Sequence, residues 1–485
     1  MNKHGDGLAS ARAQRILVSP THQATMMTLS AAEQEKTGLG NYFIANYPPF
    51  SFWKSDFLPE AIAALQRPPR PGVPLGLYLH IPFCRKRCKF CYFRVYTDKN
   101  ANDIATYLDA LVHEVQLLAQ TPCVGGRPLD YVYFGGGTPS YLSAAQLDDL
   151  MTRLRAILPW DCAREVTFEC EPGTLQKHKL ETLRRHGITR LSLGVENFKP
   201  EILQYNGRAH LEEEIYRAFA WARELGFPQI NIDLIAGMVG EDWDNWKRCV
   251  DKTLALAPDC VTIYQMELPY NTVFSKEIQQ LQTLTDSRSR TALELATPSA
   301  TPGLALSIAD WPTKRAWVHY AFDEFVKNGY EISSATTVVK NKATTRFIYR
   351  EALWRGADMF GTGVASFGHI NGVHIQNVDT WEAYIEKLQH GQLPFGRAFP
   401  TSERDRLIRE VVLLLKTGHL DIAYFRDKYG VDIRTEFADV LHRLSQEGWL
   451  TIGDESIDCT LPGLIQIDRH LPAFFDRRYI SSRYT

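Results

Sequence analysis

The chain has 485 residues, more than one compact core holds, so two or more structural units are expected. Apolar residues make up 45% and charged residues 23%, and 54 basic against 56 acidic side chains leave a net charge of -2. That balance gives no electrostatic footprint for nucleic acid, and no apolar run approaches the roughly 20 residues of a membrane helix.

In chain order, residues 1–36 are polar and aperiodic, and are expected to lack stable structure. They also lack the apolar core of a secretory signal. In "NYFIANYPPFSFW", 41–53, eight of thirteen residues are aromatic or proline, which predicts a segment packed on something. "RPPRPGVP", 67–74, then delivers the chain into the first strand.

Strand-like runs follow at 76–81, 130–134, 165–170, 190–195, 230–235 and 260–266. Helical stretches lie between them at 102–119, 144–158, 174–186, 211–225 and 242–256; in the first, Tyr107, Leu111, Val115 and Leu118 recur at helical spacing. Six strand–helix units predict an α/β fold with a parallel sheet, and six fall short of the eight that close a full barrel. An open or partial (β/α)6 barrel is expected. Beyond 270 the pattern weakens, with a loop-like "TPSATPG" at 297–303. From 403, three helices and two short strands read as a small winged-helix-like α+β unit. Near-neutral charge favours a packing domain or lid over DNA binding. The expected divisions are 1–75, an N-terminal extension; 76–345, the partial barrel with an insertion; 346–402, a connection; and 403–485, the C-terminal domain.

Nine cysteines make no disulfide framework for so long a chain, and a reducing cytoplasm is the expected setting. Three of them, Cys84, Cys88 and Cys91, fall in "YLHIPFCRKRCKFCYF" at 78–93. Structural zinc takes four ligands, and His80, on the preceding strand, is one candidate for the fourth. An iron–sulfur cluster held by three thiolates instead leaves one iron open to a small ligand.

The motifs "YLHIPFC", "YFGGGTPS", "FECEPG", "ITRLSLGVENF", "NGRAH" and "INIDLIAGM" follow one another over residues 76–270. In that order they resemble the radical S-adenosylmethionine (SAM) superfamily. The branch is that of the oxygen-independent coproporphyrinogen III oxidase, its related haem chaperone and the class C radical SAM methyltransferases. A weaker likeness runs from 346 to 475. The resemblance implies a [4Fe-4S] cluster on Cys84, Cys88 and Cys91, with SAM on the fourth iron, cleaved to a 5′-deoxyadenosyl radical.

It also implies SAM contacts by Tyr78, Phe90, Gly136, Gly137, Thr138, Glu169, Glu196, Arg208, Asp233 and Met266. Tyr78, Glu196 and Tyr264 are the candidates nearest the chemistry. A reductant such as flavodoxin or ferredoxin is implied, and neither nucleic acid nor membrane is expected as a partner.

Two departures stand out. "GVENF" puts Glu196 where the branch reads glutamine, and Tyr92 and Phe93 follow the trio where the oxidase carries a further cysteine. On these grounds methyl or methylene transfer from a second SAM, to a small or peptidic substrate, is the expected reaction. The alternatives are decarboxylation of a tetrapyrrole's propionates and haem delivery, with His369 and His374 as candidate haem ligands. Arg346, Arg350 and Arg355 are read as a solvated helix face.

Overall fold

The computed structural model describes residues 42–284 and 308–479; the 1–36 stretch and "TPSATPG" lie outside them. Six parallel strands form the middle of one sheet: β1 (Leu75–Ile81), β2 (Tyr131–Gly136), β3 (Glu165–Cys170), β4 (Arg190–Glu196), β5 (Gln229–Ala236) and β6 (Cys260–Gln265). At the β6 edge an antiparallel hairpin is added, β7 (Glu331–Ser334) and β8 (Thr337–Val339). At the β1 edge come β9 (Asp358–Thr362), parallel to β1, then β10 (Phe367–Ile370), β11 (Val373–Asn377) and β12 (Phe395–Pro400). The order is β12-β11-β10-β9-β1-β2-β3-β4-β5-β6-β8-β7, and the sheet stays open. The stretch from 346 to 402 is thus more than a connection, because it supplies four of the twelve strands.

Side chains alternate along each parallel strand. Leu77, Leu79, Val132, Phe134, Leu191, Leu193, Ile230 and Ile232 join the large hydrophobic core. Their neighbours Tyr78, Tyr133, Glu169, Ser192, Asp233 and Thr262 belong to the opposite, inner face. The connecting helices begin where the sequence supplies caps. Asn100 makes a capping box at Ala101–Ala119, Ser143 at Ala144–Ile157, and the Asp242 carboxylate accepts from the Asn245 amide at Trp243–Leu256. Among the described residues no helix is long and apolar enough to cross a membrane.

The C-terminal unit packs the helices Glu403–Leu415, Ile422–Tyr429 and Ala438–Gln446 beside a three-stranded sheet: β13 (His419–Asp421), β14 (Leu450–Ile452) and β15 (Ser456–Cys459). Its core includes Ile44 and Tyr47 of the aromatic N-terminal segment. Arg350 is buried and donates to Ser334 and Thr337, so the arginine-spaced helix is not wholly a solvated face.

The proline-rich entry is tied to the sheet by Asp358, whose carboxylate accepts from Arg70 at 2.9 Å, Arg127 at 3.1 Å and the Asn371 amide at 3.0 Å. Asp358 is fully buried and Arg127 nearly so. Asp358→Ala leaves that arginine without its charge partner and is expected to cost about 3 kcal/mol, toward the low end for a broken buried pair because Arg70 is partly solvated. A lowered denaturant midpoint at unchanged slope checks it.

Candidate active site

The three cysteines lie on the loop after β1, at the C-terminal mouth of the parallel strands, where sites on such scaffolds form. Backbone bonds shape the loop: the Cys84 amide donates to Tyr96 (3.0 Å), Lys89 to Asn206 (3.0 Å) and Cys91 to Cys88 (3.2 Å). Gly207 lies against it with φ +83°, and a Cβ there would sit 2.9 Å from the Arg87 carbonyl oxygen and 3.1 Å from the Cys88 Cα. Only glycine allows that approach.

Two side chains donate to the sulfurs. Thr138 Oγ1 reaches Cys84 Sγ at 3.3 Å, and Arg208 Nη1 reaches Cys88 Sγ at 3.5 Å. Burial pushes the Cys84 thiol up to about 11 and the Cys91 thiol to about 12, so both are protonated at neutral pH until a metal takes them. Among the described residues no three His, Cys, Asp or Glu side chains converge tightly enough to hold a single ion. His80 turns away from the trio: its Nε2 faces the Arg94 carbonyl at 3.1 Å, its Nδ1 the Tyr78 hydroxyl at 3.4 Å, and burial lowers it to about 4.

The trio opens into a cavity of about 580 Å3 that runs down the inner face of the sheet. Phe90, Gly136, Gly137, Thr138, Glu169, Glu196, Arg208, Asp233, Tyr264 and Met266 all line it. Tyr78 does not. It shares the inner face but lies beside the cavity, stacked on Tyr133 with centroids 5.8 Å apart and hydrogen-bonded to His80.

Three of the carboxylates that line this cavity, Glu169, Glu196 and Asp233, sit on the parallel strands. Glu169 accepts from Tyr133 Oη (2.6 Å) and the Gly136 amide (3.1 Å), yet burial pushes it up to about 7. Gly136 has φ +113°, and a Cβ there would meet the His80 ring at 2.6 Å, so the turn that aims this amide requires glycine. Glu196 ends β4 at φ +63°, beside a register shift, with its carboxylate 3.8 Å from Arg208. Burial pushes Glu196 to about 7 as well. Asp233 is also raised by burial, and it accepts from Ser192 (2.8 Å) and Asn231 (2.9 Å). Arg208 keeps its charge despite burial, because Cys88, Glu196 and Glu171 surround it. Burial works against the charge of all three, and a cationic group bound beside them would favour their ionised forms.

The sequence reading overlooked several neighbours. Glu171 accepts from Arg85 at 3.2 Å and lies 3.3 Å from His210, bracing the cysteine loop against β3. Tyr133, the partner of Glu169, was detectable by its inward place on β2. The roof was not. Tyr42 and Phe43 cover one side of the cavity, and Ile465, Gln466, Asp468 and Arg469 of the C-terminal unit cover another.

The donor set fits a cluster with SAM: three thiols on one loop, an open cavity beside them, and carboxylates whose ionised forms a cationic ligand would favour. A mostly parallel open α/β sheet with this trio at its mouth defines the radical SAM class of scaffold. The comparisons agree. Residues 78–252 match the radical SAM superfamily model and residues 401–465 the HemN C-terminal domain. The chain thus carries a radical SAM domain and a HemN C-terminal domain.

That oxidase from Pseudomonas aeruginosa is 28% identical, over 87% of this chain and 91% of its own length. The haem chaperone HemW from Bacillus subtilis is 28% identical, over 80% of this chain and 95% of its own. The solved structure of coproporphyrinogen III oxidase (HemN) from Escherichia coli superposes with a TM-score of 0.73 at 24% identity, over 89% and 96% of the two chains.

These relatives overturn the expectation of methyl or methylene transfer. They span most of the chain and are oxidases and a haem chaperone, so the departures at Glu196, Tyr92 and Phe93 do not signal an alkylating enzyme. The second SAM molecule has no support from them either. The candidate haem ligands fare no better, because His369 and His374 are buried with their Nδ1 atoms 3.1 Å apart, and His374 Nε2 faces the Tyr47 carbonyl at 3.0 Å.

Proposed function

We propose that this radical SAM enzyme oxidatively decarboxylates propionate side chains of a tetrapyrrole, as a coproporphyrinogen III oxidase does. The reach of the match carries the reading: likeness to the oxidases covers 83–89% of the chain, against 80% for HemW. Arg85, Arg87, Arg315 and Arg469 on the cavity wall suit a substrate with several carboxylates.

When bound, the [4Fe-4S] cluster and SAM supply a hydrogen-atom acceptor, charged by one electron from a reductant such as flavodoxin or ferredoxin in the cytoplasm. Cys84, Cys88 and Cys91 are the residues that would hold the cluster, and with three thiolates for four irons one iron would stay open to SAM. Thr138 and Arg208 keep two of the thiolates hydrogen-bonded. Glu169 and the Gly136–Gly137–Thr138 turn would serve the amino-acid end of SAM, Asp233 its ribose, and Phe90 and Met266 its adenine. Glu196 and Arg208 lie between, and Tyr264 opens toward the substrate. Tyr78 orients Tyr133, and so Glu169, from beside the cavity.

Removing a hydrogen atom from the propionate carbon attached to the ring, then CO2 and one electron, leaves a vinyl group. The electron goes to an acceptor outside the chain. The roof keeps water from the substrate radical.

Anaerobic enzyme with reductant and SAM is expected to convert coproporphyrinogen III to a divinyl product with release of CO2 and 5′-deoxyadenosine. Deoxyadenosine with the substrate unchanged would overturn the reading. Glu169→Gln is expected to weaken SAM binding about tenfold or more at unchanged iron content, the effect of losing a charged hydrogen-bond acceptor. Equilibrium dialysis reads it, and wild-type affinity would remove Glu169 from the SAM site.

A further inference from the structure

Tyr92 and Phe93 follow the third cysteine directly, and neither joins a hydrophobic core. Their rings stack on each other, with centroids 4.5 Å apart and planes at 29°. Each is 44% exposed, whereas Tyr133 on the same cavity wall is 9% exposed. The Asn271 side chain donates to the Tyr92 carbonyl at 2.9 Å and fixes the loop beneath the pair. Tyr42 and Tyr264 are also open, and both line the same cavity. Four half-exposed aromatic side chains around one space present apolar surface that a ligand would cover favourably. The Arg87 side chain, on the same loop, also lines the cavity, and its Nε is buried without a hydrogen-bond partner among the described residues.

We propose that Tyr92 and Phe93 are specificity residues: a stacking platform for a π-rich ring of the substrate, with Arg87 beside it for one of the ring's carboxylate arms. The substrate class, pyrrole rings bearing acidic arms, rests on the oxidase reading above; the platform itself rests on the exposed ring pair. Stacking recruits the ring without touching the cluster or SAM. It therefore acts on substrate affinity and leaves hydrogen abstraction alone.

The test uses the full-length, cluster-loaded enzyme carrying Tyr92→Ala and Phe93→Ala together. Coproporphyrinogen turnover gives KM and kcat. Fluorescence titration gives Kd for two probes, coproporphyrin III and the aromatic anion 1-anilinonaphthalene-8-sulfonate. Iron content and substrate-free deoxyadenosine formation report the cluster. If the alanine pair lowers iron, Tyr92→Leu with Phe93→Leu, which keeps apolar bulk and removes the π faces, is measured in its place.

The expected result is a KM and both Kd values raised about tenfold, with kcat within about twofold and deoxyadenosine formation unchanged. Wild type that fails to turn over coproporphyrinogen, while the double variant still loses naphthalene-probe affinity tenfold, would overturn the oxidase reading and keep the platform. Unchanged KM and unchanged affinity for both probes would overturn the platform.

Discussion

Cys88→Ala is expected to give a folded protein that retains little iron after anaerobic reconstitution and cleaves SAM no faster than a protein-free control. The fold should survive because the loop is shaped by its backbone bonds at Cys84, Lys89 and Cys91, not by the Cys88 side chain. Arg208 loses the sulfur at 3.5 Å but keeps the Gly194 carbonyl and the Glu196 carboxylate. The loss should therefore be chemical: with two thiolates the loop cannot hold three irons and present the fourth. Iron analysis, the cluster's visible absorbance and deoxyadenosine formation check it together. Undiminished cleavage in a folded Cys88→Ala protein would sink the cluster assignment.

The alternation along β1 to β6 was legible because it is local. Each apolar side chain facing the helices is followed by one facing the cavity, so Glu169 and Asp233 could be placed from their own strands. The cysteine spacing was legible for the same reason. The strands β9 to β12 were not, since "GADMFGTGVASFGHING" is rich in glycine and reads as loop. Its strand character comes from the free edge of β1, nearly 300 residues earlier, where Leu77 pairs with Phe360. Glu196 was singled out as a departure, but its left-handed backbone at the end of β4 carries no sequence mark. The reaction was misread because single-residue differences at Glu196 and Tyr92 were weighed against similarity spread over most of the chain. The roof was foreseen only as a cover. Which groups fasten it could not be read, because the bonds join positions hundreds of residues apart.

Those fastenings yield the second large effect, at Asp468. Its Oδ1 accepts from the Ile44 amide at 2.7 Å and from Lys416 Nζ at 2.8 Å. Lys416 is 1% exposed, lies 3.2 Å from the centroid of the Phe43 ring, and has the Ile44 carbonyl as its other acceptor at 3.0 Å. Burial already pulls its ammonium below the usual lysine range, and Asp468 is the main charge opposing that.

Asp468→Ala leaves a buried cation with a neutral acceptor and a ring face, a loss of about 3 kcal/mol, discounted because Asp468 is partly solvated. The relief nearest the lost charge is a loosening of the strap at residues 42–44, since Asn46 stays bonded to Arg409 and Tyr47 to His374. The Glu267 carboxylate, which accepts from the Phe43 amide at 2.6 Å, and the contact of the Tyr42 and Trp311 rings then resist it. An open strap admits water, so deoxyadenosine formed per substrate consumed should rise about tenfold at unchanged iron content, the shift expected if half of that energy reaches the strap.

Asp468→Asn keeps an acceptor without the charge and should fall between. Limited proteolysis near residue 44 should follow the same order. If the alanine variant stays as tightly coupled as wild type while its strap is cleaved faster, the strap is not the barrier to solvent, and the helical turns at Leu461–Ile465 and Ile467–His470 must shield the cavity alone.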